Sequence, residues 1–557
     1  MTWNARKKNI EILEKESGAF VFAPGARAAC ALVYPNAYSV GMSNLGFHII
    51  YRQLNQRGDI ACERFFLPEG EGGAPLLSVE TQRELADFPI IGVMLSFELD
   101  YFNLLAMLKA GGIPPAAAER GGQEPLLFAG GPCATFNPEP LAEVVDAFVI
   151  GEGEEAAGAV VDSWRQSRDW PDRAARLKAL AQIPGVYVPA FYYPAYGESG
   201  KIVSMRHDPS VPAKVRRQWI KDIDRYAGHY QIITPLAEFA NMFVIEVARG
   251  CGRHCRFCMA GYCFRRPRSR DLELIWQAIT ERPPSAAKVG LLGAAVCDYP
   301  YIRELTGRLV QASIPFSIAS LRADAFDGAL ARALAGSGQR TLTIAPEAGS
   351  ERLRKVINKG VSEDDILRAL SLAADAGMTG GKLYFMLGLP TETDHDVIEL
   401  ANLVLKAKKY IPGKLSLSIN YFVPKPFTPF QWDEPAHTGA RLKQLRELLQ
   451  KEKNIEIKAE SLRASIAQQI LSRAGRRAGE FLLHATQNGG LSEFVRRFKK
   501  EKPEIYDRAD CLPWDHLDMG FSKEYLSGER EKAERMEDTP QCFAGCGRCG
   551  VCGGAKG

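Results

Sequence analysis

Three cysteines lie close together near the middle of the chain, in the segment RGCGRHCRFCMAG. They are Cys251, Cys255 and Cys258, which gives the spacing C-x3-C-x2-C. Iron–sulfur cubanes normally take four cysteine thiolates, so three thiolates on one loop can bind three irons and leave the fourth iron open to a substrate. Zinc is the other metal that clustered thiolates bind. The spacing therefore predicts a metal-binding loop, with iron–sulfur chemistry as the first hypothesis.

The elements around this loop predict where it sits. The apolar run Met242–Ala248 before it is typical of a buried strand, and barrel enzymes carry their chemistry at the carboxyl ends of such strands. From about 240 to 435 apolar runs alternate with helical patterns, which predicts a parallel sheet with right-handed crossovers. The predicted strands are Met242–Ala248, Lys288–Gly293, Phe316–Ala319, Thr341–Ala345, Lys382–Leu387 and Leu415–Phe422. The predicted helices are Asp271–Glu281, Tyr301–Gln311, Asp327–Ala335, Ser362–Ala376 and Asp394–Lys408.

The first 160 residues predict a separate α/β domain of the Rossmann-like type. Apolar runs typical of buried parallel strands lie at Ala29–Val33, Ile90–Leu95, Leu126–Ala129 and Ala147–Ile150. Small residues stand at the ends of the second and third runs, and these are Ser96, Gly130 and Gly131. Ligands of open α/β sheets bind at the carboxyl ends of the strands, where glycine lets the backbone approach closely. The sequence thus predicts a ligand site at this edge.

The cysteine segment and the repeats that follow it resemble the radical SAM superfamily and its partial (β/α)6 barrel. The resemblance implies that the open iron chelates S-adenosylmethionine and that one electron cleaves it to a 5′-deoxyadenosyl radical. It also implies cofactor contacts from residues at the loop and the strand ends, namely Phe257, Ser320, Arg322, Glu347 and Gly388. Structural ion pairs are the alternative role for Arg322 and Glu347. The chain departs from the family at Leu292–Asp298, which lacks the Gly-Gly-Glu glutamate that binds the methionine amino group.

An α/β domain followed by this barrel resembles the cobalamin-binding branch of the superfamily, in a subgroup that also shares the segment Asn137–Pro140 and a cysteine-rich tail. The resemblance implies that Ser96, Gly130 and Gly131 cradle the tail of the corrin. The Asp-x-His-x-x-Gly motif that supplies a histidine to cobalt is absent, and His48 is expected in a helix without a ligand role. Cobalamin bound without a protein ligand on cobalt and a pocket that binds no cobalamin both remain open.

Four more cysteines stand near the end of the chain, in CFAGCGRCGVC. They are Cys542, Cys546, Cys549 and Cys552, and the glycines between them allow tight turns. A second 4Fe-4S cluster and a zinc site both fit the spacing, with the cluster as the first hypothesis. The arginine run Arg265–Arg270 lies close behind the first cysteine loop and predicts contact with an anionic substrate. The alternatives are a solvated face and pairing with barrel carboxylates.

Length and composition limit the remaining possibilities. A chain of 557 residues exceeds one hydrophobic core, and its net charge of +4 neither requires nor excludes RNA as a partner. No apolar run approaches the roughly 20 residues of a membrane span. Cysteines placed as metal ligands indicate a reducing cytoplasm. The predicted division is a Rossmann-like domain (1–160), a connector (161–235), the barrel (236–436), a helical region (437–540) and the cysteine tail (541–557).

The leading hypothesis from the resemblance is a cytoplasmic, oxygen-sensitive radical SAM enzyme that methylates an unactivated carbon through cobalamin. Its expected substrate is RNA or a metabolite, and its expected electron donor is a ferredoxin or a flavodoxin. One alternative is a radical SAM enzyme that does not methylate and uses the tail cluster as an auxiliary site. Another is an iron–sulfur or RNA-binding protein whose barrel is catalytically silent.

Overall fold

A computed structural model describes residues 2–68, 75–170, 172–198, 200–434, 439–501, 506–543 and 545–552. Residues 435–436 of the predicted barrel and residues 544 and 553–557 of the predicted tail therefore lie outside the described residues. The chain divides into two compact units. Unit 1 comprises Met1–Met242, Pro283–Ser285 and Ile470–Gly520. Unit 2 comprises Phe243–Arg282, Ala286–Gln469 and Phe521–Gly557.

The strands form where apolar runs are continuous or alternate with polar residues. In chain order they are β1 (Ala28–Tyr34), β2 (Ile60–Phe66), β3 (Ile90–Met94), β4 (Leu126–Gly130), β5 (Ala147–Val149), β6 (Val186–Tyr187), β7 (Tyr192–Tyr196), β8 (Ile202–His207), β9 (Val215–Arg216), β10 (Met242–Glu246), β11 (Ala248–Arg249), β12 (Arg268–Ser269), β13 (Lys288–Leu292), β14 (Phe316–Ile318), β15 (Thr341–Glu347), β16 (Gly380–Leu387), β17 (Leu415–Tyr421), β18 (Ile455–Ala459) and β19 (Leu517–Asp518).

Several helices begin at a polar capping residue. Before the helix that starts at Glu363, the Ser362 hydroxyl accepts from the amide of Asp365, whose carboxylate accepts in turn from the amide of Ser362. In chain order the helices are α1 (Thr2–Glu14), α2 (Tyr38–Gly41), α3 (Leu45–Asn55), α4 (Asp100–Ala110), α5 (Pro132–Phe136), α6 (Ala156–Gln166), α7 (Arg173–Leu180), α8 (Ala260–Cys263), α9 (Leu272–Thr280), α10 (Ile302–Gln311), α11 (Gly328–Gly336), α12 (Glu351–Val356), α13 (Glu363–Asp375), α14 (Asp394–Lys408), α15 (Gly439–Leu449), α16 (Leu462–Arg473), α17 (Ala478–Gln487), α18 (Gly490–Glu501) and α19 (Lys523–Glu534).

Unit 1 is built on a sheet with the strand order β2-β1-β3-β4-β5-β6. Strands β1 to β5 are parallel, whereas β6 runs antiparallel to β5. Because β2 and β3 lie on opposite sides of β1, the sheet has its switch point between β1 and β3, which is where open α/β sheets bind ligands. The predicted Rossmann-like fold is confirmed for this part of the chain.

Unit 2 is built on two runs of strands, β10-β13-β14 and β15-β16-β17-β18. A parallel bridge between Leu321 and Ile344 joins the two runs, so the strands follow one another in chain order. Helices connect successive strands, as expected of right-handed β/α crossovers. The predicted partial barrel is confirmed, and β18 adds a strand inside a region that was predicted to be helical.

The strands of unit 2 bury one face and leave the other half-exposed. On β16, Leu383, Phe385 and Leu387 are buried, whereas the side chains between them are only partly buried. The same alternation on β15 and β17 leaves polar residues on the half-exposed face. These residues are Thr343, Lys382, Tyr384, Ser416 and Ser418. This polar face is the inner side of the open barrel, because the helices of the β/α repeats cover the apolar face.

The described part of the chain contains no helix long and apolar enough to cross a membrane.

Candidate functional site

The three cysteines of the first loop lie on the turn that follows β11 and leads into α8. Gly250 begins this turn at φ +80°, and a Cβ atom there would stand 2.2 Å from the carbonyl oxygen of Phe264, so the position requires glycine. The amide of Cys258 donates to the carbonyl of Cys255 at 3.0 Å. The local fold therefore keeps Cys251, Cys255 and Cys258 on one short turn of unit 2.

The surroundings of the loop favour neutral thiols until a cation binds. Burial raises the pKa of Cys258 to about 12 and also raises the pKa of Cys251. The thiolate is the form that binds metal, so binding must displace protons. Three sulfur donors on a loop of this length fit an iron–sulfur cluster.

A largely buried ion pair lies beside the cysteine loop. Glu347 ends β15 at φ +67°, a left-handed conformation that is rare outside glycine and is concentrated at functional sites. Its carboxylate accepts a hydrogen bond from Lys359 Nζ at 3.1 Å, and that nitrogen lies 6.0 Å from the ring centroid of Phe257. Burial lowers the pKa of Lys359, but the neighbouring Glu347 and Cys255 more than offset this effect, so the pKa is raised overall. Lys359 therefore brings a positive charge to the loop.

A chain of ion pairs joins Arg322 to the cysteine loop. Arg322 Nε donates to Asp324 at 2.9 Å, and Asp324 also accepts from Arg253 at 2.9 Å. Arg253, which lies between the first two cysteines, binds both carboxylate oxygens of Asp298 at 2.5 and 2.8 Å. Asp298 thus supplies a carboxylate in the segment that lacks the Gly-Gly-Glu glutamate. The guanidinium of Arg322 pairs with both carboxylate oxygens of Asp324, and a structural ion pair of this kind was the alternative role for Arg322.

Gly388 and Ser320 lie at two further strand ends of unit 2. Gly388 follows β16 at φ +86°, and its amide donates to the carboxylate of Glu392 at 2.7 Å. Burial raises the pKa of Glu392 to about 7, although Arg441 binds the same carboxylate at 2.7 Å. Ser320 follows β14 and is exposed. The structure thus distributes Ser320, Arg322, Glu347 and Gly388 over the carboxyl ends of β14, β15 and β16, and their contact with S-adenosylmethionine stays a prediction.

Ser96, Gly130 and Gly131 lie at the carboxyl edge of the sheet of unit 1. The Ser96 hydroxyl accepts from the Asn44 amide group at 3.1 Å. Gly131 has φ +101°, and a Cβ atom there would stand 2.7 Å from the carbonyl oxygen of Leu95, so the edge itself requires this glycine. A Cβ on Gly130 would meet its nearest neighbour only at 3.8 Å. The edge therefore offers a hydroxyl and an accessible backbone, which fit an amide-rich ligand such as a corrinoid.

His48 has both ring nitrogens engaged inside unit 1. Its Nε2 lies 2.9 Å from the carbonyl oxygen of Met42, and its Nδ1 accepts from the amides of Gln231 and Ile232 at 3.2 and 3.3 Å. Burial lowers its pKa to about 3, and the ring stacks on Tyr230 at 4.2 Å. His48 is therefore a neutral core histidine and has no nitrogen to offer to cobalt, as the sequence predicted.

Asn137 and Glu139 lie in the segment that the subgroup shares. Within unit 1 they bind residues 472–476, which come more than 300 residues later in the chain. The Asn137 amide donates to the carbonyls of Ser472 and Ala474, both at 3.0 Å. The fully buried Glu139 pairs with Arg476 at 3.2 Å. These contacts give the two residues a structural role.

Two arginines of the run Arg265–Arg270 face the interior of unit 2. Arg270 pairs with the carboxylate of Glu246 at 2.7 Å. Arg265 is 1% exposed and donates to His254 Nδ1 at 2.7 Å. Both side chains thus have internal partners, and Arg270 pairs with a strand carboxylate, as one of the alternatives for this run describes.

The four tail cysteines also belong to unit 2. Cys546 and Cys549 are buried, whereas Cys542 and Cys552 are partly exposed. The amide of Cys542 donates to the carbonyl of Gly252 at 2.8 Å, so the tail begins directly against the first cysteine loop.

Sequence reasoning missed four residues of this site, namely Arg253, His254, Asp298 and Lys359. Arg253 and His254 lie between two of the loop cysteines, and that position was a signal available from the sequence. Asp298 is the acidic residue of the segment Leu292–Asp298, which lacks the glutamate of the family. The residues around Lys359 form no motif that indicates a site, because its role depends on the fold that brings it to Glu347.

Comparison with known proteins agrees with this organisation. The family model "Radical SAM proteins, N-terminal" matches residues 46–189, and the model "Radical SAM superfamily" matches residues 245–404. An uncharacterized protein of Methanocaldococcus jannaschii is 33% identical over 470 residues, which are 84% of this chain and 93% of the relative. An uncharacterized methyltransferase of Pyrococcus horikoshii is 25% identical over 288 residues, which are 49% of this chain and 56% of that protein.

Among solved structures, the fold is similar to that of TsrM from Kitasatospora setae, a radical S-adenosylmethionine methyltransferase with cobalamin and a [4Fe-4S] cluster bound. The TM-score is 0.50 at 13% sequence identity, over 86% of this chain and 100% of that chain. At this identity the likeness concerns the fold.

Proposed function

The chain belongs to the radical SAM superfamily, and from this premise we propose that it is a cobalamin-dependent enzyme that methylates an unactivated carbon of RNA or of a metabolite. The observation that carries the proposal is the placement of Cys251, Cys255 and Cys258 on one turn of unit 2, with the Glu347–Lys359 pair beside it.

When bound, the cluster supplies the electron that cleaves S-adenosylmethionine into methionine and a 5′-deoxyadenosyl radical, and cobalamin supplies the methyl group that is transferred. The three thiols of the loop hold the cluster. Glu347, Lys359 and Asp298 place charges of both signs near the loop, which suits the amino and carboxylate groups of S-adenosylmethionine. Phe257 packs against the apolar cluster that includes Leu389 and fixes the last turn of the loop.

Unit 1 is the expected site of the cobalamin. The Ser96 hydroxyl and the open backbone at Gly130 lie at the edge where sheets of this strand order bind ligands. Because His48 is fully engaged, cobalamin would bind with no ligand from this histidine on cobalt.

The inner face of the open barrel suits a polar substrate. It carries hydroxyl groups and one cation on neighbouring strands, from Thr343, Lys382, Tyr384, Ser416 and Ser418. RNA and polar metabolites both present oxygen and nitrogen atoms for such groups. A ferredoxin or a flavodoxin is the expected electron donor.

A second candidate is a radical SAM enzyme that does not methylate and uses a metal site in the tail as an auxiliary centre. The hydrogen bond from the amide of Cys542 to the carbonyl of Gly252 favours this candidate, because it places the tail against the first cysteine loop.

Product analysis separates the two candidates. The protein would be purified without oxygen, reconstituted with iron, sulfide and hydroxocobalamin, and incubated with reductant, methyl-labelled S-adenosylmethionine, and RNA or metabolite fractions. Cobalamin-dependent methylation predicts 5′-deoxyadenosine, S-adenosylhomocysteine and a labelled product. The second candidate predicts 5′-deoxyadenosine alone, and a protein that forms neither nucleoside would contradict both. Cys255→Ala should form no product, whereas the matched variant Cys263→Ala, which changes another buried cysteine of the same segment, should stay active.

A further inference from the structure

The cysteine-rich tail carries four thiols that the proposed reaction does not use. Cys546 and Cys549 are only 2% and 5% exposed, although the tail is short. Gly545 and Gly550 have φ +82° and φ +83°, which lets the chain reverse on either side of these two cysteines. The tail is therefore a series of turns that carries four cysteines within eleven residues.

Buried polar contacts tie the start of the tail to the first cysteine loop. Arg256 is fully buried, and its guanidinium donates to the carbonyl of Glu537 at 2.6 Å. The Asn358 side chain binds both the amide and the carbonyl of Thr539, at 2.9 and 3.0 Å. The same side chain donates to the carbonyl of His254 at 3.1 Å. The tail is thus anchored by side chains whose polar groups would otherwise be buried without partners.

His254 aims an N–H group at a sulfur of the tail. Its Nδ1 accepts from Arg265 at 2.7 Å and lies 2.9 Å from the hydroxyl of Tyr525. Arginine can only donate, so Nδ1 is the unprotonated nitrogen and Nε2 carries the hydrogen. Nε2 lies 3.2 Å from the Sγ atom of Cys542. The ring is completely buried and held on both sides, so this N–H···S contact is built into the fold.

Further N–H groups and positive charges surround the tail sulfurs. Arg548 Nε lies 3.2 Å from the Sγ atom of Cys546, and the same guanidinium is held by the carbonyls of Pro540 and Gln541 at 2.7 and 2.9 Å. The Arg265 side chain also hydrogen-bonds Cys549. Three of the four sulfurs thus face fixed N–H donors.

We infer that Cys542, Cys546, Cys549 and Cys552 bind a second iron–sulfur cluster of the 4Fe-4S type, and that His254 is a positioning residue that donates its Nε2 hydrogen to the sulfur of Cys542. Hydrogen bonds to ligand sulfurs stabilise the added negative charge of a reduced cluster and thereby set its potential. A structural zinc ion requires only four ligands in a tetrahedron and takes up no electron. The N–H donors and the two guanidinium charges around the sulfurs suit a cluster that accepts an electron. The inference holds whatever reaction the first loop catalyses.

Metal analysis of separate variants tests the second cluster. The triple variant Cys251→Ala, Cys255→Ala, Cys258→Ala, reconstituted without oxygen, should keep about four irons per chain and a reduced-cluster EPR signal, against about eight irons in the wild type. The quadruple variant with alanine at the four tail cysteines should keep about four irons and the signal of the first loop, which separates failure of this inference from failure of the proposed function. Zinc in place of iron in the triple variant, or no metal at all, would overturn the inference. Cys511→Ala, which changes a partly exposed cysteine of unit 1, is the matched control and should keep all the iron.

Variants at His254 test the hydrogen bond, and they are made in the triple variant so that only the tail cluster is observed. His254→Phe removes the N–H donor and should shift the midpoint potential of that cluster to a lower value. His254→Gln keeps an N–H donor and should restore much of the shift. A purely structural role would instead lower the iron content of both variants without moving the potential of the cluster that remains. Potentials of both variants equal to that of the parent would overturn the role of His254.

Discussion

Replacement of Asn358 by alanine should detach the cysteine-rich tail from the first cysteine loop. The side chain makes three hydrogen bonds of 2.9 to 3.1 Å to Thr539 and His254. It is 8% exposed, and the residue has φ +51°, a conformation that asparagine tolerates better than alanine. Three buried hydrogen bonds contribute about 3 kcal/mol, and the left-handed backbone costs alanine about 1 kcal/mol more. We therefore expect Asn358→Ala to weaken docking of the tail by about 4 kcal/mol.

Hydrogen exchange of the amides from Glu537 onward measures this effect, because the tail can open without global unfolding. A loss of 4 kcal/mol corresponds to exchange that is faster by a factor of about a thousand. Asn454→Ala is the matched control, since Asn454 has φ +64° and is exposed, so that it reproduces the backbone strain without the buried contacts. Unchanged exchange in Asn358→Ala would refute the anchoring role. If Asn358→Ala and Asn454→Ala accelerated exchange in the tail equally, the effect would come from backbone strain and not from the lost hydrogen bonds.

Two predictions concern unit 1. Gly131→Ala should destabilise the protein by at least about 2 kcal/mol in a urea titration, because the new Cβ would lie 2.7 Å from a backbone oxygen and the residue has φ +101°. In the same titration Gly130→Ala should cost less than about 1 kcal/mol, because its new Cβ would have its nearest neighbour at 3.8 Å. Burial raises the pKa of Asp100 from 3.8 to about 6, so its ionisation destabilises the native state by up to about 3 kcal/mol above pH 6. Most of this penalty is lost as the pH falls to 4, close to the pKa of the unfolded carboxyl. Asp100→Asn keeps an acceptor for the Asn36 amide and should stabilise the protein at pH 7 much more than at pH 4. An equal gain at both pH values would contradict the assignment.

Most of the fold could be predicted because buried parallel strands are continuous apolar runs. The predicted strand Ile90–Leu95 differs from β3 by one residue, and the predicted helix Asp394–Lys408 coincides with α14. The strand β18 was missed because it alternates only Ile455 and Ile457 with charged residues, a pattern too short to overrule its helical neighbours. Segment 470–520 groups with unit 1, a pairing that sequence order does not reveal. The five-part division of the chain stays a prediction.

The candidate site could be predicted only where its residues are neighbours in sequence. Three cysteines within one turn are visible as a spacing, whereas Lys359 and Glu347 meet because the chain returns after β15. Asp298 and Arg253 are 45 residues apart and are joined only in the folded unit. Tertiary contacts of this kind produce no periodic pattern in the sequence. The sequence could therefore suggest a structural ion pair for Arg322 as an alternative, but it could not identify the partner.

The turn that contains Asn358 and Lys359 connects the two cysteine segments of unit 2. Asn358 holds Thr539 at the start of the tail, and the next residue, Lys359, carries the charge that pairs with Glu347 beside the first loop. The amide of Arg256, inside that loop, donates to the carbonyl of Ile357 at 2.9 Å. Because adjacent residues on one backbone cannot move independently, a change that releases the tail must also disturb Lys359. The side chain of Asn358 contacts only the backbone of the loop and the tail. We nevertheless expect Asn358→Ala to weaken binding of S-adenosylmethionine. An unchanged binding affinity in a titration would show that the two cysteine segments are independent.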